Sequence, residues 1–192
     1  MPKLQQLLQK IDAVLANDPT EIEVNGEKRP LAPYHAERRA FWMEKLVDGK
    51  VSEPLQIAAR AQHIGRWEVP RSTYPDGRVG YLKWRTDLKK MHGEKTAVLM
   101  RESGYDETTI ERVKTMIAKK GIKRDAEVQV LEDALCLVFL ESQFTAVAQK
   151  ESDKIINILQ KTWKKMSPKG HELALQLPMS DTDRAIIEEA IT

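Results

Sequence analysis

A chain of 192 residues with 41% hydrophobic and 31% charged residues has the length and composition of one soluble globular domain, able to bury a core without metal or disulfide. Its 31 basic and 29 acidic residues leave a net charge of +2. That balance is too even for a dedicated nucleic-acid binder, and no apolar run approaches the roughly 20 residues that span a bilayer.

The opening MPKLQQLLQKIDAVL places Leu4, Leu7, Leu8, Ile11, Val14 and Leu15 on one face of a helix over about 2–16. It has neither the apolar core nor the small-residue cleavage site of a secretory signal, so a cytoplasmic protein is expected. Asn17-Asp18-Pro19 stops that helix. The following TEIEVNGEKRP has an Asn-Gly turn and reads as an irregular or briefly extended linker, because no alternating runs flank a turn as in a hairpin. Pro33 suits the first turn of a second helix through about 47, and Ser52 with Pro54 starts a third that ends at Gly65. Residues 66–80, RWEVPRSTYPDGRVG, carry two prolines and two glycines and predict a long ordered surface loop of the kind that often serves function.

A fourth helix is expected over about 81–103, a turn at GYDE, and a fifth over about 107–119. The sixth, about 126–148, is the most apolar segment and reads as the buried centre of a bundle. Within its LCLVFL run lies the single cysteine, Cys136, expected to be a buried inert thiol with no disulfide partner. Two more helices, about 151–166 and 181–191 with a short turn between, complete an all-α, single-domain helical bundle over residues 1–192.

Several polar residues fall on apolar faces. Asp133 lies three residues after Val130 and four before Leu137, and Glu132 lies between Val128 and Phe139. Burying an unpaired carboxylate costs several kcal/mol, roughly, so each needs an arginine or lysine, backbone N–H groups or a metal. His63 ends the third helix on the side of Ala59, His92 follows Leu88 by four, and His35 shares a face with Trp42 and Leu46. Three inward histidines from three helices are therefore expected. Between Arg60 and Lys90 the chain is basic, and Arg66, Arg71 and Arg85 with Trp67, Tyr74 and Trp84 offer planar donors and stacking surfaces for phosphate, carboxylate or a nucleobase. Lys164, Lys165, Lys169 and His171 would add a basic rim; a solvated charged surface is the plainer alternative for both groups.

The order His35, QHIG at 62–65, HGEKTAVLMRESGYDETTIERVKTMI from His92 and EDALCLVF from Glu132 resembles the HD superfamily of helical metal-dependent proteins over about 32–145. By position His35 matches the superfamily's first histidine, Gln62 and His63 its His-Asp doublet, Asp133 its last aspartate and His92 the additional histidine of two-metal members. The doublet is altered at both letters, and Lys119 stands where two-metal members have another histidine. The resemblance implies one divalent ion (Mn, Fe, Ni, Co or Zn) held by His35, His63, His92 and Asp133, with Glu132 as base or orienting group. The implied reaction is metal-assisted hydrolysis of a small phosphorylated or otherwise anionic substrate, nucleotides included. Gln62, Arg66, Arg71, Trp84, Arg85, Lys119 and His171 are the expected substrate contacts. The alternative on the same scaffold is a non-catalytic nucleotide- or RNA-binding module.

The stretches AARAQHIGRWEVPRSTYP, GYLKWRTDLKKMH, LEDALCLVFLE and KTWKKMSPKGHELAL are similar to an uncharacterised bacterial and fungal family, a domain of unknown function sometimes labelled glutamyl-tRNA synthetase-like. HIGR at 63–66 resembles the HIGH motif of class I synthetases, and KMSPK at 165–169 resembles KMSKS. In those enzymes HIGH follows a Rossmann strand. Here alanine-rich AARAQ precedes it, a helical context, and no series of parallel-strand runs exists. A synthetase is not expected.

Overall fold

The computed structural model describes residues 2–24 and 26–191. Among them are ten α-helices and one small antiparallel hairpin, so the fold is all-α. The elements are α1 (Lys3–Leu15), β1 (Glu21–Val24), β2 (Glu27–Pro30), α2 (Leu31–Leu46), α3 (Glu53–Ala61), α4 (Gly77–Glu102), α5 (Glu107–Ile117), α6 (Ala126–Ser142), α7 (Phe144–Lys150), α8 (Ile155–Lys165), α9 (Pro168–Leu175) and α10 (Asp181–Ile191). No helix of the described residues is long and apolar enough to cross a membrane.

The chain packs as two compact units, one formed by Met1–Ala40 with Val51–Lys120, the other by Phe41–Lys50 with Gly121–Thr192. In the first, α5 packs on both α3 and α4, and α1 packs on the same two helices. Their apolar stripes supply the core: Leu7, Ile11 and Leu15 from α1, Leu55 and Ile57 from α3, Leu88, Ala97 and Met100 from α4, and Ile110, Val113, Met116 and Ile117 from α5. Ser52 caps α3 by accepting the Leu55 N–H, and Asp106 caps α5 by accepting that of Thr109, each filling an orphan donor of a first turn. In the second unit α6 packs against α7, α8 and α9, and α8 against α10. Asp125 caps α6, and Leu131, Leu137, Val138 and the buried Cys136 show that several sides of this helix are covered.

Four expectations need correction. The linker at 20–30 is a hairpin pairing Glu21 with Pro30 and Val24 with Glu27. Its strands are four residues each, and only Ile22 and Val24 supply an apolar alternation, too little to register as a pattern. Gly26, at φ 82°, sits in its turn. The loop expected over 66–80 is shorter: it contains two single 3-10 turns, Arg66–Glu68 and Arg71–Thr73, and α4 begins at Gly77. Gly80 lies inside α4, where a Cβ would stand 1.9 Å from the Pro75 carbonyl oxygen; the glycine admits the backbone of the preceding loop.

The expected sixth helix is divided at Gln143 (φ −128°, ψ −21°) into α6 and α7. No proline or glycine marks that break; Ser142 Oγ instead donates to the Val138 carbonyl at 2.7 Å. Finally, what read as a turn after residue 166 contains α9. Ser167 Oγ accepts the Gly170 N–H, and Pro168 occupies the first turn, a start signal whose short following segment hid it.

Candidate functional site

The site begins where α3 ends. The alanine-rich helix stops at Ala61, Ile64 N–H returns to the Ala61 carbonyl at 2.9 Å, and Gly65 at φ 70° reverses the backbone. This turn presents Gln62, His63 and Arg66. Two neighbouring helices hold it. His92 of α4 donates from Nδ1 to the Ile64 carbonyl at 2.7 Å, and Gln62 donates from Nε2 to the Ile117 carbonyl at the end of α5, at 3.1 Å. On α4 the spacing Arg85, Leu88, Lys89, His92 is that of one helix face. With Lys119 beyond α5, these residues and those of the turn line a small cleft open to solvent.

The cleft is cationic. Its two imidazoles, His63 and His92, lie 5.9 Å apart between ring centroids at 62°. The Arg66 guanidinium stands over the Trp84 ring at 4.7 Å, and Arg85 over the Tyr81 ring at 6.0 Å, contacts that position half-buried cations without neutralising them. Trp84 is itself fixed by donating to the Val69 carbonyl at 2.9 Å. Lys119 has φ 58°, a left-handed backbone uncommon for a residue other than glycine.

Burial, then the nearby Arg39 and Arg66, brings the His35 pKa down to about 4. Burial also brings that of His92 to about 4, with Arg66, Arg39 and Arg85 adding to the depression against a smaller upward pull from the Ile64 bond. His63 is held well below the ordinary histidine value by burial and by Arg39, Arg66, His92 and Lys119. All three rings are neutral at physiological pH. Because the Ile64 carbonyl can only accept, neutral His92 carries its proton on Nδ1 and leaves Nε2 as a lone pair.

Arg39 is the residue that the sequence reading missed. Only 1% exposed, it donates from Nε to the Ala59 carbonyl at 2.7 Å, while Nη2 has no hydrogen-bond partner among the described residues. Burial, with Arg60 nearby, pulls its pKa down to about 9. Arg60 has its own counter-ion in Asp12. The signal for Arg39 was present: it follows His35 by four residues and shares its helix face.

Others of the expected residues make bonds of their own. Arg71 donates to the carbonyls of Tyr74 and Pro75, both at 2.9 Å, and so shapes its own loop. Glu132, Asp133 and His171 belong to the second unit. There Asp133 Oδ1 accepts from Ser167 N at 2.9 Å and Gln129 Nε2 at 3.0 Å, and Glu132 faces Lys165 at 3.7 Å. His171 stacks on Trp163 with centroids 4.1 Å apart and donates from Nε2 to the Trp163 carbonyl at 2.8 Å. Among the described residues no group of three or more His, Cys, Asp or Glu side chains is placed to hold a metal ion. The histidines of the first unit are grouped with cations, a donor set that suits an anion better than a second positive charge.

Residues 5–187 match the model of a family described as Domain of unknown function (DUF4202). No curated protein and no solved structure matches the chain.

Proposed function

The chain belongs to the DUF4202 family, and from that premise we propose that it binds a small oxyanion or phosphorylated compound in the cleft between the 62–66 turn, α4 and the end of α5. One observation carries this reading. Arg39, Arg66 and Arg85 surround neutral imidazoles, and none of the three has a carboxylate partner among the described residues. Buried or half-buried guanidinium groups are ordinarily paired, because an unpaired charge away from water is costly. A phosphate or carboxylate would supply the missing counter-charge and accept the forked N–H donors of Arg66 and Arg85.

Lys119 supports the same reading. A left-handed lysine costs about 1 kcal/mol or more relative to glycine, and glycine is the usual residue just past a helix end. An ammonium at the rim of an anion site gives that cost a purpose. Lys119→Gly is therefore expected to raise the unfolding temperature in the absence of ligand and to weaken inorganic phosphate binding about tenfold, which corresponds to about 1.4 kcal/mol. Thermal unfolding with and without phosphate reads both effects. A glycine variant that binds phosphate as well as the parent removes Lys119 from the site.

A second reading is metal-dependent hydrolysis, as the HD resemblance implies. It is favoured by His92, whose Nδ1–H bond to a carbonyl leaves Nε2 as a ligating lone pair, the arrangement common to metal-bound histidines. The other donors of the cleft do not complete a metal set, so no reaction step is assigned to an ion. Adding Mn²⁺ alone and with phosphate to the same thermal series separates the two: an anion site responds to phosphate without metal.

A further inference from the structure

We propose that Gln62 makes the cleft select an oxyanion that still carries a hydroxyl, of the hydrogen-phosphate type, over one that carries none, of the sulfate type. This rests on the anion-binding reading above and adds a specificity to it. Gln62 is 2% exposed and is among the residues that line the cleft. Its amide orientation is settled by chemistry: the Ile117 carbonyl only accepts, so the end that meets it at 3.1 Å is Nε2. The remaining polar atom, Oε1, is buried and has no hydrogen-bond donor among the described residues.

The charged residues that line the cleft with Gln62, namely Arg66, Arg85, Lys89 and Lys119, are cations that attract any anion of sufficient charge. Oε1 is different, since it can only accept. A ligand that fills this space without bringing an O–H or N–H leaves the lone pairs of Oε1 unpaired. Hydrogen phosphate and sulfate are tetrahedral, close in size and doubly charged near neutral pH, so the arginines and Lys119 barely distinguish them. The P–O–H proton does. Sites built to pair with a ligand hydroxyl reject analogues lacking it far more strongly than hydrophobic pockets reject a missing methylene.

The test is a titration of the full chain with inorganic phosphate, arsenate and sulfate at matched ionic strength and neutral pH, followed by thermal unfolding or calorimetry. Phosphate and arsenate, which both retain a hydroxyl, should bind on the order of 100-fold more tightly than sulfate, the effect of one buried acceptor left unpaired. In Gln62→Met, which keeps the length of the side chain and removes both the acceptor and the donor to the Ile117 carbonyl, that ratio should fall towards one through loss of phosphate affinity. Gln62→Glu, which keeps an acceptor oxygen, should retain the preference while weakening both anions, and serves as the second arm if the methionine variant does not fold. Equal binding of phosphate and sulfate by the parent chain overturns the selectivity while leaving the anion site standing. A preference that survives in Gln62→Met overturns the role of Gln62. Failure of every anion to bind overturns both this inference and the function on which it rests.

Discussion

Arg39→Met is expected to yield a protein about 2 kcal/mol more stable than the parent and deaf to phosphate. The stability follows from what Arg39 does when no ligand is present. Its side chain is buried, its Nη2 is unpartnered among the described residues, and its pKa is pulled down to about 9 by that burial, so holding the charge there opposes folding. Replacing buried charges by apolar residues of similar volume is often stabilising by about 1–4 kcal/mol. The bond from Nε to the Ala59 carbonyl is lost and offsets part of the gain, about 1 kcal/mol for a typical hydrogen bond. Loss of the phosphate response follows because Arg39 acts electrostatically on all three histidines of the unit and its charge is part of what attracts an anion there. Urea unfolding of the two proteins with and without phosphate measures both quantities. A methionine variant less stable than the parent would mean that Arg39 is a structural clamp on Ala59 and not a charge held in waiting.

Asp133→Ala should be the most damaging of the substitutions considered, about 3–5 kcal/mol. Asp133 Oδ1 accepts both the Ser167 N–H, at the start of α9, and the Gln129 amide, and hydrogen bonds to a charged group contribute about 1.5–3 kcal/mol each. The fit is close: a Cβ at Gly170 would lie 2.8 Å from this oxygen. Burial raises the Asp133 pKa, against the downward pull of the Ser167 and Gln129 bonds. A carboxyl whose folded pKa lies above its unfolded value loses folding stability as pH rises through that interval, so its ionisation at neutral pH works against folding. Asp133→Asn, which keeps an acceptor for Ser167 without the charge, should therefore cost about 1 kcal/mol or less and leave phosphate binding unchanged. The comparison is made by urea midpoint and phosphate titration. An asparagine variant that folds normally and no longer binds phosphate would return Asp133 to the ligand site.

Helix existence was legible because the apolar spacing of α1, α3 and α5 is regular and the α3 cap, Ser52, is plain in the sequence. The elements that escaped were those decided by contacts remote in the chain or by segments too short to show a period. Gly80 falls within the predicted loop because a sequence does not reveal that the Pro75 carbonyl lies against it. The hairpin at 21–30 carries two apolar residues, and α9 is eight residues long. At the site, His63, His92, Gln62, Arg66, Arg85 and Lys119 line one cleft. What spacing alone did not show was the sign of the surroundings. Helical periodicity places a histidine inward, but whether it meets carboxylates or guanidinium groups depends on which residues of other helices reach it, and here those are Arg39, Arg66 and Arg85.

The measurement that bears most directly on the central claim is an isothermal titration of inorganic phosphate into the full chain at low ionic strength, where screening is weakest. Saturable binding of one phosphate per chain without added metal, abolished in the Arg66→Ala, Arg85→Ala double variant, is the predicted result. No saturable heat in the parent protein, or the same binding in the double variant, would contradict it.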